Sequence, residues 1–274
     1  MRIIFAGRDN SFNRKLFTEI SKDHEILFCL FLEPGRKKAT NVFRRIRKRI
    51  RKYGLLQVVN EVAFHLIDRF IIRKPEAKFK DTQPEYFITE VELPFPSYSV
   101  ENIHDFNWLR LIEQSSPDII FSLCCNVIFK PVLTNIPKYG TFILHEGLTP
   151  EYKGLHTTLW ALLKGDYKSV GYTLFKANNV IDGGEILAQG NYRLKDGENY
   201  RTWSWIGHNA LIEGLDNIKK ALKNLEQHND FKPIETGNRE SCYYTWMTLT
   251  EFLSFIFLNH RKIRKDLSIS EELG

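Results

Sequence analysis

An α/β fold, a mostly parallel sheet with flanking helices, is predicted by three stretches of this sequence. Met1–Gly7, MRIIFAG, is an apolar strand pattern closed by a glycine, and Asn10-Ser11 then offers a cap for a helix over Phe12–Ser21. Glu25–Leu32 is a second apolar run, and a strand–helix–strand opening predicts parallel strands joined by right-handed crossovers. Pro117–Leu123, PDIIFSL, is apolar at both sets of alternating positions, as a strand covered on both faces must be. No G-x-G-x-x-G follows the first strand, so nothing indicates a dinucleotide site.

The remaining elements follow in order. Residues 34–85 do not fit the sheet and read as a helical insertion. Within it Val42, Phe43, Ile46, Ile50 and Tyr53 recur at helical spacing, so Val42, Phe43, Ile46 and Ile50 are expected to be buried. Leu55–Ile72 repeats the pattern, and Gly54 between the two makes a hairpin. Phe95–Val100 reads as a short strand, Asn107–Gln114 as a helix, Tyr139–Leu144 as a strand, His156–Leu163 as a helix, and Gly171–Lys176 and Ile186–Tyr192 as strands. Thr202–Glu226 reads as one long amphipathic helix, with Ile206, Leu211, Leu215, Ile218, Leu222 and Leu225 on its apolar side. This divides the chain into a main domain over 1–230 and a small C-terminal appendage over 231–274. The aromatics of the appendage, Tyr243, Tyr244 and Trp246, read as packing or a homodimer contact, with acceptor binding as the alternative.

Composition narrows the function classes. With 274 residues and 43% hydrophobic content, the chain can bury a full globular core. No run of 18 apolar residues exists, so no membrane-spanning helix is expected. The first residues read as a strand and not as a signal peptide. The four cysteines, Cys29, Cys124, Cys125 and Cys242, lack zinc-ligand spacing; buried free thiols in a reducing, cytoplasmic setting are the expectation. The net charge of +6 is localised: residues 36–52 carry ten Lys/Arg and no acid, so the remainder of the chain is net acidic. That basic helix is either a solvated face or an attraction to an anionic surface, whether a nucleotide-linked substrate, nucleic acid or acidic lipid.

The chemistry concentrates in Gly140–Gln189, which opens GTFILHEGLTPEYKGLHTTLW and contains VIDGGEI. His145 ends an apolar strand and Asp182 sits in a Gly-rich loop. Around them Leu148, Pro150, Tyr152, Gly154, Trp160, Gly171, Thr173, Gly184 and Ile186 fall in one register. This register resembles the catalytic segment of the folate-dependent formyltransferases, the superfamily of the glycinamide ribonucleotide, methionyl-tRNA and sugar N-formyltransferases. The resemblance implies a Rossmann-like sheet, His145 and Asp182 as catalytic residues, and no metal. It implies N10-formyltetrahydrofolate as formyl donor, held at Asn126, Val127, Phe129, Pro150, Val180 and Asp182. It also implies a place in one-carbon metabolism, with a small anionic amine, foremost a nucleotide-linked amino sugar, as acceptor. The methionyl-tRNA type has a larger C-terminal domain than the segment after residue 230. Other amines, such as an amino acid or a lipid-linked amine, and a non-catalytic folate-binding homologue are the alternatives.

One position departs from the family. Its Asn-x-His places two polar side chains on one strand face, because residues i and i+2 point the same way. Here the Asn position is Ile143. Formyl transfer passes through a tetrahedral oxyanion; a His can donate to that oxygen, a carboxylate can orient the His, and an amide is a second donor. Ile143 cannot donate. Asn126 and His156 are the alternative donors, and Glu146 adds an acid expected at the mouth of the site.

Overall fold

The computed structural model describes residues 1–32, 40–72, 91–123, 125, 127–228 and 231–258. Its centre is a seven-stranded sheet of β1 (Arg2–Gly7), β2 (Glu25–Leu32), β3 (Ser97–Val100), β4 (Ile119–Leu123), β5 (Gly140–Glu146), β7 (Gly171–Lys176) and β8 (Ile186–Asn191), in the order β3-β2-β1-β4-β5-β7-β8. The first five in that order are parallel. β7 runs antiparallel to β5, and β8 antiparallel to β7. The opening strand–helix–strand pattern therefore sets up a parallel sheet, and the antiparallel pair closes one side of it.

The alternation of each strand feeds two cores. Phe5, Leu123, Phe142 and Leu144 pack on one face against α1 (Ser11–Ser21) and α8 (Leu215–His228). Ile4, Ala6 and Ile120 pack on the other against α4 (Phe106–Gln114) and α5 (Pro131–Thr134), with Ile143 at the margin. Burying each such side chain contributes about 1.5–3 kcal/mol. The Asn10 carboxamide accepts the Asn13 amide proton at 2.8 Å and starts α1 as predicted. The single helix expected over Thr202–Glu226 is instead two, α7 (Trp203–Glu213) and α8, meeting at Gly214. The junction is slight, since Gly214 keeps right-handed helical dihedrals and bonds to Ala210 and Ile218, and a Cβ there would lie 2.3 Å from the Tyr172 ring, so the backbone passes in contact with that ring.

A third core forms beside the sheet. It joins α6 (Thr157–Lys164), Trp203 and Ile206 of α7, Met247 and Phe252 of the tail, and Phe64 and Ile72 of the insertion. The insertion is α2 (Thr40–Tyr53) and α3 (Leu55–Ile67), split at Gly54 (φ +86°), with α3 continuing as a π-turn to Ile72. Trp203 Nε1 donates to Asp68 at 3.3 Å, and Arg201 donates to the Ile72 carbonyl at 3.0 Å, so the hairpin is fixed to α7. Ile46, expected to be buried, is 42% exposed, and Ile50 is only half-buried. The periodicity of α2 finds its apolar face without supplying enough partner surface to cover it. The side chains of Val42 and Phe43 lie outside the described residues. The tail is not set apart from the body: β6 (Lys153–Gly154) pairs in parallel with β9 (Tyr243–Tyr244), and a last helix, α9, covers residues 249–258.

Candidate functional site

β5 carries His145 to the carboxyl edge of the parallel strands, where open α/β sheets bind ligands. Strand alternation puts Ile143 and His145 on one face, both half-buried, while Phe142 and Leu144 point into the core. The next residue, Glu146, points the other way. A Cβ on Gly207 of α7 would lie 2.6 Å from the Glu146 carboxylate, so this acid faces α7 and not the mouth of the site. This corrects the sequence expectation, and strand alternation is the reason.

The loop after β5 is braced by buried polar contacts. Thr173, opposite His145 in the β5–β7 register, is fully buried. Its hydroxyl accepts the Thr149 amide proton at 3.1 Å, donates to the Gly147 carbonyl at 2.7 Å, and accepts from Gln189 at 2.9 Å. Gln189 also donates to the Thr149 carbonyl at 2.7 Å. Arg239 reaches in from the tail, donating twice to Glu151 at 2.6 Å, once to Gln189 at 2.9 Å and once to the Thr149 carbonyl at 3.0 Å. Paired Arg–carboxylate bonds of this kind fix direction as well as position. Gly154 (φ +100°) then lies so close to β9 that a Cβ would sit 2.0 Å from the Tyr244 carbonyl oxygen.

These braces aim two backbone groups at the site. The Tyr152 carbonyl lies 3.1 Å from His145 Nε2, and a carbonyl only accepts, so that nitrogen carries the proton. Tyr152 is itself anchored: its ring stacks on Tyr244 at 5.1 Å and its hydroxyl donates to Asp166 at 3.0 Å. Burial, with the Asp166 carboxylate beside it, pushes the Tyr152 phenol well above its ordinary range and keeps it a donor. The Gly154 amide donates to Asp182 Oδ2 at 2.8 Å. The same Asp182 oxygen lies 4.0 Å from His145 Nδ1, with side-chain exposures of 17% and 12%. That separation is too long for a direct hydrogen bond and within ion-pair range once the ring carries a charge. Asp182 sits at φ +48° in a loop closed by Asn178, which accepts the Val180 amide proton at 2.8 Å and donates to the Gly183 carbonyl at 3.2 Å.

The structure thus brings His145 and Asp182 together across 37 residues of sequence. Val127 and Val180 are exposed on the loops after β4 and β7, and the Phe129 ring is buried, leaving its backbone for any ligand. The Pro150 carbonyl accepts the Cys242 amide proton at 3.1 Å. Asn126 lies outside the described residues. His156 is turned to two indoles, with ring centroids 4.9 Å from Trp203 and 5.0 Å from Trp246, and not to the strand end. Gln189, Arg239 and Glu151 are the site residues that sequence reading missed. Gln189 sits across from Thr173 in the β7–β8 register, but Arg239 carries no local signal at all. Among the described residues no cluster of three or more His, Cys, Asp or Glu could hold a metal ion.

Comparison with known proteins finds relatives for part of this chain. The family described as "Formyl transferase" matches residues 70–205. Over 101 residues the chain is 35% identical to the bifunctional polymyxin resistance protein ArnA of Wigglesworthia glossinidia brevipalpis, a match covering 37% of this chain and 15% of that protein. It is 34% identical over 131 residues to the methionyl-tRNA formyltransferase of Ehrlichia canis (strain Jake), covering 46% of this chain and 42% of that one. The matched part spans less than half the length of these two curated relatives. A solved sugar N-formyltransferase from Shewanella sp FDAARGOS_354 superposes with a TM-score of 0.56 at 13% identity, covering 93% of this chain and 87% of that one. At that identity the likeness is one of fold.

Proposed function

We propose that this chain, which belongs to the formyl transferase family, moves a formyl group from N10-formyltetrahydrofolate to the amine of a small anionic acceptor, a nucleotide-linked amino sugar. The observation that carries the reading is the His145–Asp182 pair, 4.0 Å apart at the carboxyl edge of the sheet. The surroundings fit the donor: Val127, Ile128, Val180 and Ile181 are exposed on the two loops flanking the pair, apolar surface of the kind a flat heteroaromatic ring covers. Asn126, Val127, Phe129, Pro150, Val180 and Asp182 would hold it, Phe129 through its backbone alone. When bound, the donor supplies an activated formyl carbon.

The chain's own residues then manage one proton and one charge. With its Nε2 proton given to the Tyr152 carbonyl, His145 has its lone pair on Nδ1, facing the gap to Asp182. Nδ1 takes the proton that the acceptor amine loses as its nitrogen forms the new bond, and would return that proton to the donor's nitrogen as the bond from the formyl carbon to it breaks. Asp182 balances the positive charge the ring gains. The Nε2 proton is committed to Tyr152, so His145 acts as base here and the oxyanion takes its hydrogen bond from another group. A reducing, cytoplasmic setting is part of this reading; Cys29, Cys125 and Cys242 are free thiols, and burial pushes the Cys125 thiol up to about 11.

A second reading, a folate-binding homologue without transfer, is favoured by one residue, Ile143, which offers no donor where the family has an amide. The two separate in one assay. Purified protein is mixed with N10-formyltetrahydrofolate and a panel of nucleotide-linked amino sugars, with amino acids and lipid-linked amines alongside, and products are read by mass spectrometry. A formylated amino sugar supports the leading reading. Folate binding without any formylated product supports the second.

A further inference from the structure

The α2–α3 hairpin carries surface features that formyl transfer leaves unused. On α3, Leu55, Val59, Val62 and Leu66 follow spacings of four, three and four, so they form one stripe, and all four are exposed. Leu56 beside them is 87% exposed and Phe70 75%. The body of the protein holds α3 by a different face, Val58, Glu61 and Phe64, with Arg49 of α2 paired to Glu61. The adjacent helix α9 packs on α3 through Phe252 against Phe64 and Thr250 against Asn60, and it carries exposed Phe257 and Leu258 of its own. On α2, Arg44, Arg47, Lys48 and Arg51 share one exposed face. A contiguous apolar surface rimmed by charge is the mark of an interaction site.

We propose that the α2–α3 hairpin docks this protein on the surface of an anionic lipid bilayer. The stripe Leu55–Leu66 enters the boundary between headgroups and acyl chains, and the bases of α2 meet the lipid phosphates. Charge decides between this occupant and a second copy of the chain. Residues 36–52 hold ten Lys/Arg and no acid, so two hairpins face to face would set like charges together. A bilayer supplies a negative surface with an apolar layer directly beneath it, which is the pairing the hairpin presents. The element lies on the membrane and does not cross it: α3 has 13 residues where a span needs about 20, and no described helix is long and apolar enough to cross.

The test uses the full chain and sedimentation with vesicles of phosphatidylcholine alone or mixed with phosphatidylglycerol. The expected result is binding to the mixed vesicles, little to the neutral ones, and release by added salt. Each exposed base contributes roughly fivefold in partitioning, so Arg47→Gln with Lys48→Gln and Arg51→Gln should weaken binding about a hundredfold. Leu56→Ser with Val59→Ser and Val62→Ser alters exposed positions, should leave the melting temperature in place, and should weaken binding too. Folded protein that binds neither vesicle overturns the proposal, as does binding that survives both sets of substitutions. A chain that ignores vesicles but runs as a dimer, dissociated by the serine variant, overturns it in favour of a second copy.

Discussion

His145 and Ile143 stand two residues apart on one face of β5, and between them they set what the site can do. His145 has both ring nitrogens placed by other groups, the Tyr152 carbonyl at 3.1 Å and Asp182 at 4.0 Å. Asp182→Asn separates charge from shape: an amide oxygen can still accept the Gly154 proton, and Asn tolerates the left-handed backbone at φ +48°. Its melting temperature should stay within a degree or two of wild type while kcat/KM falls about 10²–10⁴-fold. A parallel loss of fold and rate would make Asp182 a structural residue only. Ile143→Asn conserves volume approximately and adds a donor beside the reacting centre. Because one oxyanion donor is worth roughly 10²–10³ in rate, kcat should rise at least several-fold. A slower variant would mean that the pocket is built around the apolar side chain.

The loop from Gly147 to Gly154 is the element that turns a strand-end histidine into a site. Thr173→Val removes a hydroxyl with three hydrogen bonds and strands the Thr149 amide and the Gly147 carbonyl in the interior, while Gln189 keeps its bonds to the Thr149 carbonyl and Arg239. Each buried group left without a partner costs about 1–3 kcal/mol, so denaturant unfolding should show a loss of about 2–5 kcal/mol, with kcat falling as Tyr152 drifts from His145. Unchanged stability would mean that water replaces the hydroxyl. Gly154→Ala should be as damaging, since its Cβ would collide with the Tyr244 carbonyl and φ is +100°. The sheet strands were legible in the sequence because their signal is local: Ile26–Leu32 is apolar throughout and Ile119–Leu123 is apolar but for Ser122, as doubly covered strands are. His145, Asp182 and Thr173 were legible through the register of a short motif stretch. The brace was not, because Arg239 meets Glu151 across 88 residues and Thr149 across 90, and no periodicity spans that distance. The approach of Gly214 to the Tyr172 ring was hidden too, since that ring comes from β7. Ile46 stands exposed because an amphipathic pattern states which face is apolar and not how much of it is covered.

Across the whole molecule, three distant parts of the chain meet at one side of the sheet. The insertion reaches α7 through Asp68 and Ile72, and the tail reaches the loop after β5 through Arg239 and the β6–β9 pair. Tertiary contact also buries His24 near the N-terminal ammonium and Glu226. Burial first, and the ammonium second, lower its proton affinity. A folded pKa below the unfolded one makes its contribution to stability full above the unfolded value of about 6.5 and progressively lost as pH falls through the folded value. Unfolding midpoints should therefore decline as pH is lowered from about 7.5 to 5.5, and His24→Leu should flatten that decline. An identical slope in the variant would assign the pH dependence to other groups.

The most direct measurement compares wild type and His145→Ala in transfer from N10-formyltetrahydrofolate to nucleotide-linked amino sugars, with folate binding followed in parallel. Wild type should form the formylated sugar, and His145→Ala should bind folate within a few-fold of wild type while losing about 10²–10⁴ in kcat. A wild type that binds folate without transferring the formyl group, or one whose rate is unaltered by His145→Ala, would contradict the account.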